Sequence, residues 1–286
     1  MRNALMAVAG LGLFAAVSLS PSVAAQQAPD RGVQVGVPAG RSGTAPESFR
    51  GRGRNAGPPK PAPRNTDGRA LLAGATAADK GVWLPGPVIP DPLGPSKELP
   101  FQPWARALFA DRRTHQLEPH ARCKPSGVAR VFLTPYGVEI TELPELKRVY
   151  IFDIGGPHTF RTIYLDGRTH PKDILASYYG HSIGRWDGDT LVIEAKNYKR
   201  WSLDDWYYQN PKEYRMHTEA LRTIERLRRV DRDTIAYEFT VDDPKIFTKP
   251  WSVDWVMKRH PEWEKTGLYE MVCNENNRCE GGNCRK

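Results

Sequence analysis

Gly180-His181-Ser182-Ile183-Gly184-Arg185-Trp186-Asp187-Gly188-Asp189-Thr190-Leu191-Val192 reads as strand, turn, strand. An Asp-Gly pair between two β-forming runs is the strongest local hairpin signal, because glycine supplies the positive φ that a two-residue turn requires. Outward from it, further β-rich runs fall at 130–133, 147–153, 160–165, 181–186, 190–197, 220–230, 234–241, 251–259 and 268–274. Turn residues separate them at Gly155-Gly156-Pro157, Asp166-Gly167, Asp231-Arg232-Asp233 and Asp242-Asp243-Pro244. Eight or nine strands joined mostly by tight turns predict an all-β domain with antiparallel pairing.

Closing such a sheet on itself removes the unpaired edges that an isolated sheet exposes. The expected fold is therefore an antiparallel, lipocalin-like β-barrel, with a β-sandwich as the alternative. A short helix is predicted at 104–113, where Trp104, Ala107, Leu108 and Asp111 share one stripe. Before it, the Pro-punctuated run from Pro85 to Pro95 reads as an extended surface arm. Residues 173–179 read as a helical turn across one barrel mouth.

The first 25 residues have an early Arg2, an apolar run from Ala4 to Val17 and small residues at Val23 and Ala25. That pattern is a secretory signal peptide, so the mature protein is expected in the periplasm or outside the cell. The apolar run falls short of the roughly 20 residues a membrane span needs, and no transmembrane segment is expected in the mature chain. Residues 26–84 are read as a disordered Gly/Pro/Arg-rich linker, 85–277 as the barrel and 278–286 as a Cys-containing tail. Of the formal net charge of +8, the segment 26–80 alone carries +5, from nine cations and four anions. With export expected, this basic segment suggests weak contact with acidic envelope surfaces and argues against a nucleic-acid partner. An oxidising compartment also makes disulfides the expected state of the four cysteines, with Cys123–Cys273 and Cys279–Cys284 the favoured pairing and a zinc site the alternative.

The densest polar chemistry lies between residues 161 and 186. His170 and His181 are candidate general bases, with Arg161 and Tyr164 as candidate stabilisers of an anion. Asp166, Arg168, Ser182, Trp186, Trp206 and Glu225 are candidate substrate-binding residues, and Trp201 to Tyr208 reads as a loop or short helix forming an aromatic lid. Strand parity puts Arg161 and Tyr164 on opposite faces, so only one of them can point inward. Glu225 with Arg161 also reads as an ion pair across adjacent strands. Gly180-His181-Ser182-Ile183-Gly184 has the letters of the hydrolase elbow but lacks its strand-to-helix context. His158, His170, His181, His217 and Glu225 could supply metal ligands, yet no ligand spacing is diagnostic, and neither metal nor cofactor is expected.

Together with Asp166-Gly167-Arg168-Thr169-His170-Pro171, Val241-Asp242-Asp243-Pro244, Thr248-Lys249-Pro250-Trp251 and Cys273-Asn274-Glu275-Asn276, the segment 180–192 resembles the GHSIGRW(E/D)GDTLV signature of a family of secreted bacterial proteins. The resemblance covers about residues 100 to 277 and implies one exported domain. It implies no activity. The residues themselves point to a barrel that handles a small aromatic or carbohydrate-like molecule, as a cofactor-independent lyase or isomerase. A non-catalytic carrier or sensor is the alternative, and an envelope structural protein the third reading.

Overall fold

The Asp187-Gly188 turn closes the hairpin that its sequence predicts, with Gly188 at φ 57° and Trp186 opposite Leu191. The structure is a computed structural model describing residues 58–266, apart from 75, 77–78, 87–98, 116–118, 120–122, 126, 135, 155–156 and 207–212; side chains at 112–115, 204–206, 213–214 and 266 are also not described. The expected signal peptide, most of the expected arm, the strand at 268–274 and the terminal cysteine loop lie outside these residues. The described residues belong to one compact unit, Ala45–Lys286.

The elements in chain order are β1 (Val82–Pro85), α1 (Pro103–His115), β2 (Val138–Leu143), β3 (Arg148–Asp153), β4 (Phe160–Tyr164), β5 (His181–Asp187), β6 (Thr190–Lys196), β7 (Trp201–Trp206), β8 (Glu213–His217), β9 (Arg222–Asp231), β10 (Thr234–Asp242), β11 (Trp251–Arg259) and α2 (Pro261–Thr266). Nine strands close a barrel in the order β1-β11-β10-β9-β6-β5-β4-β3-β2, and β2 pairs back onto β1. The all-β barrel is thus the fold.

One seam departs from the expected antiparallel pattern. β4 and β5 run parallel, with Ile163 opposite Ser182 and Tyr164 opposite Ile183. Parallel neighbours need a crossover of a dozen or more residues, and Leu165 to Gly180 provides it. The Asp166-Gly167 turn therefore begins a crossover and does not close a hairpin.

Alternation along each strand sends one set of side chains inward. Thr223, Glu225, Leu227 and Arg229 of β9 are buried, as are Ile235, Tyr237, Phe239 and Val241 of β10. Leu191, Ile193 and Ala195 of β6 join the same core. The run 130–133 is not the expected strand. It is a 3₁₀ turn, Arg130–Phe132, that closes its own i to i+3 hydrogen bonds and packs Phe132 on Tyr237 with ring centroids 4.6 Å apart. A segment with no free strand edge beside it must satisfy its backbone internally. The interior of the barrel is thus filled by core side chains.

Other expectations shift by similar logic. In α1 the buried residues are Ala105 and Phe109, with Phe109 stacked on Phe101 at 5.5 Å, while Trp104 is 49% exposed. The stripe is offset by one position from the predicted one. Residues 201–206 form β7 of a two-stranded ribbon with β8, not a loop or helix over the mouth. The helical turn expected at 173–179 is also absent, and Ser177 instead makes a parallel bridge to Tyr198.

The barrel also begins before residue 85. Upstream of β1, Leu72 is fully buried, its amide donates to Glu142 at 2.7 Å, and its carbonyl accepts the Trp83 indole N–H at 3.0 Å. Arg69 reaches the same Glu142 carboxylate at 2.6 Å, and Arg229 holds buried Asp79 at 2.9 Å. The strap falls within 26–84, whose composition predicts a disordered linker, and corrects that expectation for its described part. Among the described residues, which include Cys123 alone of the four cysteines, none is a free thiol, and the expected pairings fall outside them. No helix among them is long and apolar enough to cross a membrane.

Candidate functional site

The parallel seam decides which face each candidate residue takes. On β4, Arg161 and Ile163 point inward, while Phe160, Thr162 and Tyr164 lie on the outer face. On β5, Ser182 and Gly184 face the core and His181 lies on the other side. A Cβ at Gly184 would stand 2.7 Å from Ile163 Cγ2 and 2.9 Å from Leu165 Cδ2, so glycine permits the two strands to close here.

Inside, the Arg161 guanidinium forms a bidentate pair with Glu225, donating from Nη1 at 2.9 Å and from Nη2 at 2.6 Å. Its Nε donates to Ser182 Oγ at 2.8 Å, and the Tyr237 hydroxyl donates to Glu225 at 2.7 Å. β4 and β9 are not neighbours in the ring, so the pair spans the interior and does not link adjacent strands. Burial opposes the Arg161 charge, but the Glu225 carboxylate outweighs it and raises the pKa. Such a charge is held, not available. The role expected for Arg161 as an anion stabiliser is corrected accordingly, and so is that of Glu225 in substrate binding.

Outside, the crossover carries His170 back over β5 and β6. His170 Nδ1 and His181 Nδ1 lie 2.9 Å apart, and the two rings meet edge to face at 5.0 Å. Tyr164 stacks on the His181 ring at 5.2 Å, and the Arg168 guanidinium lies 3.9 Å from the centre of the Tyr164 ring. Arg168 is itself paired with Asp166 at the exposed turn. Burial, then the charge of Lys196, pushes the His170 pKa down to about 4. Burial and then Arg168 lower that of His181. Both shifts favour the neutral imidazole, the form that accepts a proton.

Beside this pair lies a cleft of about 490 Å³, walled by Phe160, Thr162 and Tyr164 of β4 and by Ile174, Leu175 and Tyr178 of the crossover. His181 lines it, and so do Arg161 and Ser182 from the barrel wall. No family model, curated protein or solved structure matches the chain.

Of the residues singled out in the sequence, His181, Tyr164, Arg161 and Ser182 meet at the cleft. His170 stands behind His181. Asp166 and Arg168 pair with each other in the turn that starts the crossover. Trp186 packs against the core with the Arg69 guanidinium 3.5 Å from its ring centre, so it is not a cleft wall. Trp206 lies where no side chain is described. Ser182 sits within a strand and accepts from Arg161, which is not the geometry of a hydrolase nucleophile. Among the described residues, no three His, Cys, Asp or Glu side chains converge as metal ligands. His217 packs against Tyr198 with ring centroids 5.4 Å apart, and Glu225 is committed to Arg161.

Sequence reasoning missed Glu194 and Arg222. Glu194 Oε1 is 3.9 Å from His170 Nε2 and 3.1 Å from Arg222 Nη2. Both occupy outward positions of β6 and β9, where charges are ordinary, and only the path of the crossover makes them notable. Phe160, the first residue of β4, is 59% exposed and forms an apolar wall open to solvent.

Proposed function

We propose that the protein is exported, as the signal-peptide pattern of residues 1–25 and the resemblance of residues 180–192 to the secreted-family signature suggest, and binds a small aromatic or carbohydrate-like molecule in the cleft at the β4–β5 seam. There His181 serves as a general base for a cofactor-independent lyase or isomerase reaction. The observation that carries this reading is the His170–His181 pair, joined through Nδ1, with His181 on the cleft wall. A ring anchored through Nδ1 has Nε2 left for a ligand.

The reaction breaks a C–H bond of the bound molecule and forms an N–H bond on His181, leaving the electron pair on the substrate. In an isomerase the proton returns to a different atom; in a lyase the pair expels a leaving group. Ser182, on the core face of β5, accepts from Arg161 and braces the wall behind the cleft. Tyr164, stacked between His181 and Arg168, orients the imidazole and is not itself a base. In an oxidising compartment Cys123 pairs with Cys273 and Cys279 with Cys284, and the basic N-terminal segment makes weak contacts with acidic envelope surfaces.

The test is deuterium incorporation from D2O into small aromatic and sugar-derived carbon acids, followed by proton NMR with wild-type and His181→Ala protein. The wild type exchanges a substrate proton, and His181→Ala slows exchange by about 10²–10⁴-fold while its circular dichroism is unchanged. Absence of exchange by the wild type for every molecule that native mass spectrometry shows bound would overturn the reading. That outcome would leave the carrier reading, which the apolar walls and the fully committed Arg161 favour.

A further inference from the structure

Between two neutral imidazoles joined Nδ1 to Nδ1, one nitrogen donates and the other accepts, so each arrangement fixes the proton on both outer nitrogens. If His170 donates, its Nε2 carries a bare lone pair and His181 Nε2 carries a hydrogen. If His181 donates, its Nε2 is a free base and His170 Nε2 carries the hydrogen. The surroundings of His170 choose between them. Its side chain is 5% exposed, its Nε2 is buried without a hydrogen-bond partner, and Glu194 Oε1 lies 3.9 Å from that nitrogen. At that distance there is no direct hydrogen bond, but a carboxylate attracts an N–H and repels a lone pair.

We infer that Glu194 is a positioning residue, which through His170 holds the His181 proton on Nδ1 and leaves His181 Nε2 as an unprotonated acceptor at the cleft. This deepens the proposed function and rests on it for the use made of that nitrogen. Arg222 Nη2 anchors the carboxylate at 3.1 Å, and Arg222 in turn stands opposite Asp242 in the β9–β10 register. The chain of contacts is thus Arg222, Glu194, His170, His181. When His181 accepts a proton at Nε2, the resulting imidazolium keeps its Nδ1–H on His170, whose own Nε2–H still faces the carboxylate. No proton needs to pass beyond His181, so Glu194 acts by charge alone. Lys196, opposite His181 in the β5–β6 register, and Arg222 act on His170 in the sense opposite to Glu194, so the carboxylate acts through its position facing Nε2; the paired Arg168 and Asp166 act on His181.

Imidazole ¹⁵N NMR on the full-length protein reads the protonated nitrogen of each ring without any substrate, with His170→Asn and His181→Asn proteins giving the assignments. In the wild type at pH 7.5, His181 is expected to carry its proton on Nδ1 and His170 on Nε2. Glu194→Gln should shift His181 by at least several-fold toward the Nε2–H form, and Glu194→Asp should restore the wild-type pattern. A wild-type His181 protonated on Nε2 would overturn the inference, and so would a Glu194→Gln protein that folds and keeps the wild-type tautomers. If Glu194→Gln does not fold, the wild-type tautomer alone decides. Failure of the proposed function appears differently, as an absence of proton exchange with the tautomers as stated here.

Discussion

Arg161 and Tyr164 sit three residues apart on one strand, and the two-residue period alone assigns them to opposite faces. The inner position places a guanidinium in the core, where it is kept by Glu225, Ser182 and, through Glu225, by Tyr237. Removing one member of such a pair leaves an uncompensated buried charge, whereas replacing both with apolar groups does not. Arg161→Met should therefore cost about 3–5 kcal/mol in urea denaturation, and Arg161→Met with Glu225→Leu should recover most of that loss. A double variant no more stable than the single one would contradict this account. On the outer face, His170 imposes a pH dependence of definite sign. Its pKa is lowered from the ordinary 6.5 to about 4, so between those values the unfolded chain binds a proton that the folded protein does not. Stability from this residue is complete above about pH 6.5 and declines as the pH falls toward 4. His170→Asn should flatten the change in urea midpoint between pH 7 and pH 5.

At the scale of elements, the strap before β1 is the part of the fold least visible in composition. Leu72 buries its whole side chain beneath Trp83, and Glu142 receives the amide of Leu72 together with the guanidinium of Arg69. Leu72→Ala should cost about 2–5 kcal/mol, the range for truncating a buried leucine, measurable as a lowered melting temperature. A neutral result would mean that the strap does not dock. The strap is not legible because two adjacent leucines, Leu71 and Leu72, in a Gly/Pro/Arg-rich context carry no period, and because the residues that hold it, Glu142, Asp189 and Arg229, are remote in sequence. Strands β3, β9, β10 and β11 were legible, since their own alternation or run of β-formers suffices. The run 130–133 was not, because a short apolar run has no period to distinguish a strand from a turn. The candidate site was legible in part for the same reason. Parity separated Arg161 from Tyr164, but the choice of β5 as a parallel partner is made by contacts far apart in sequence, and it alone sets His170, His181 and Glu194 on one outer surface.

Across the whole molecule the ring of strands is closed, so its stability is set by seams, not by edges. β9 and β10 are paired through nine register positions from Thr234 to Asp242, whereas β4 and β5 share two. Local opening concentrates where backbone pairing is sparse. The β4–β5 seam is also the wall through which Arg161 and Ser182 reach the cleft, so the site lies at one of the two most sparsely paired seams of the ring, the other being β1–β2 with two positions as well. In hydrogen exchange read by mass spectrometry, peptides covering 160–164 and 181–183 should lose protection before those covering 222–242. A molecule bound in the cleft contacts both β4 and the crossover, and must order them relative to each other. Ligand should therefore raise protection at 160–164 and 174–183 while leaving 222–242 unchanged. Protection gained instead along β9 and β10 would place the ligand within the barrel, where Phe132, Tyr237 and Leu227 now pack, and would require those core side chains to move.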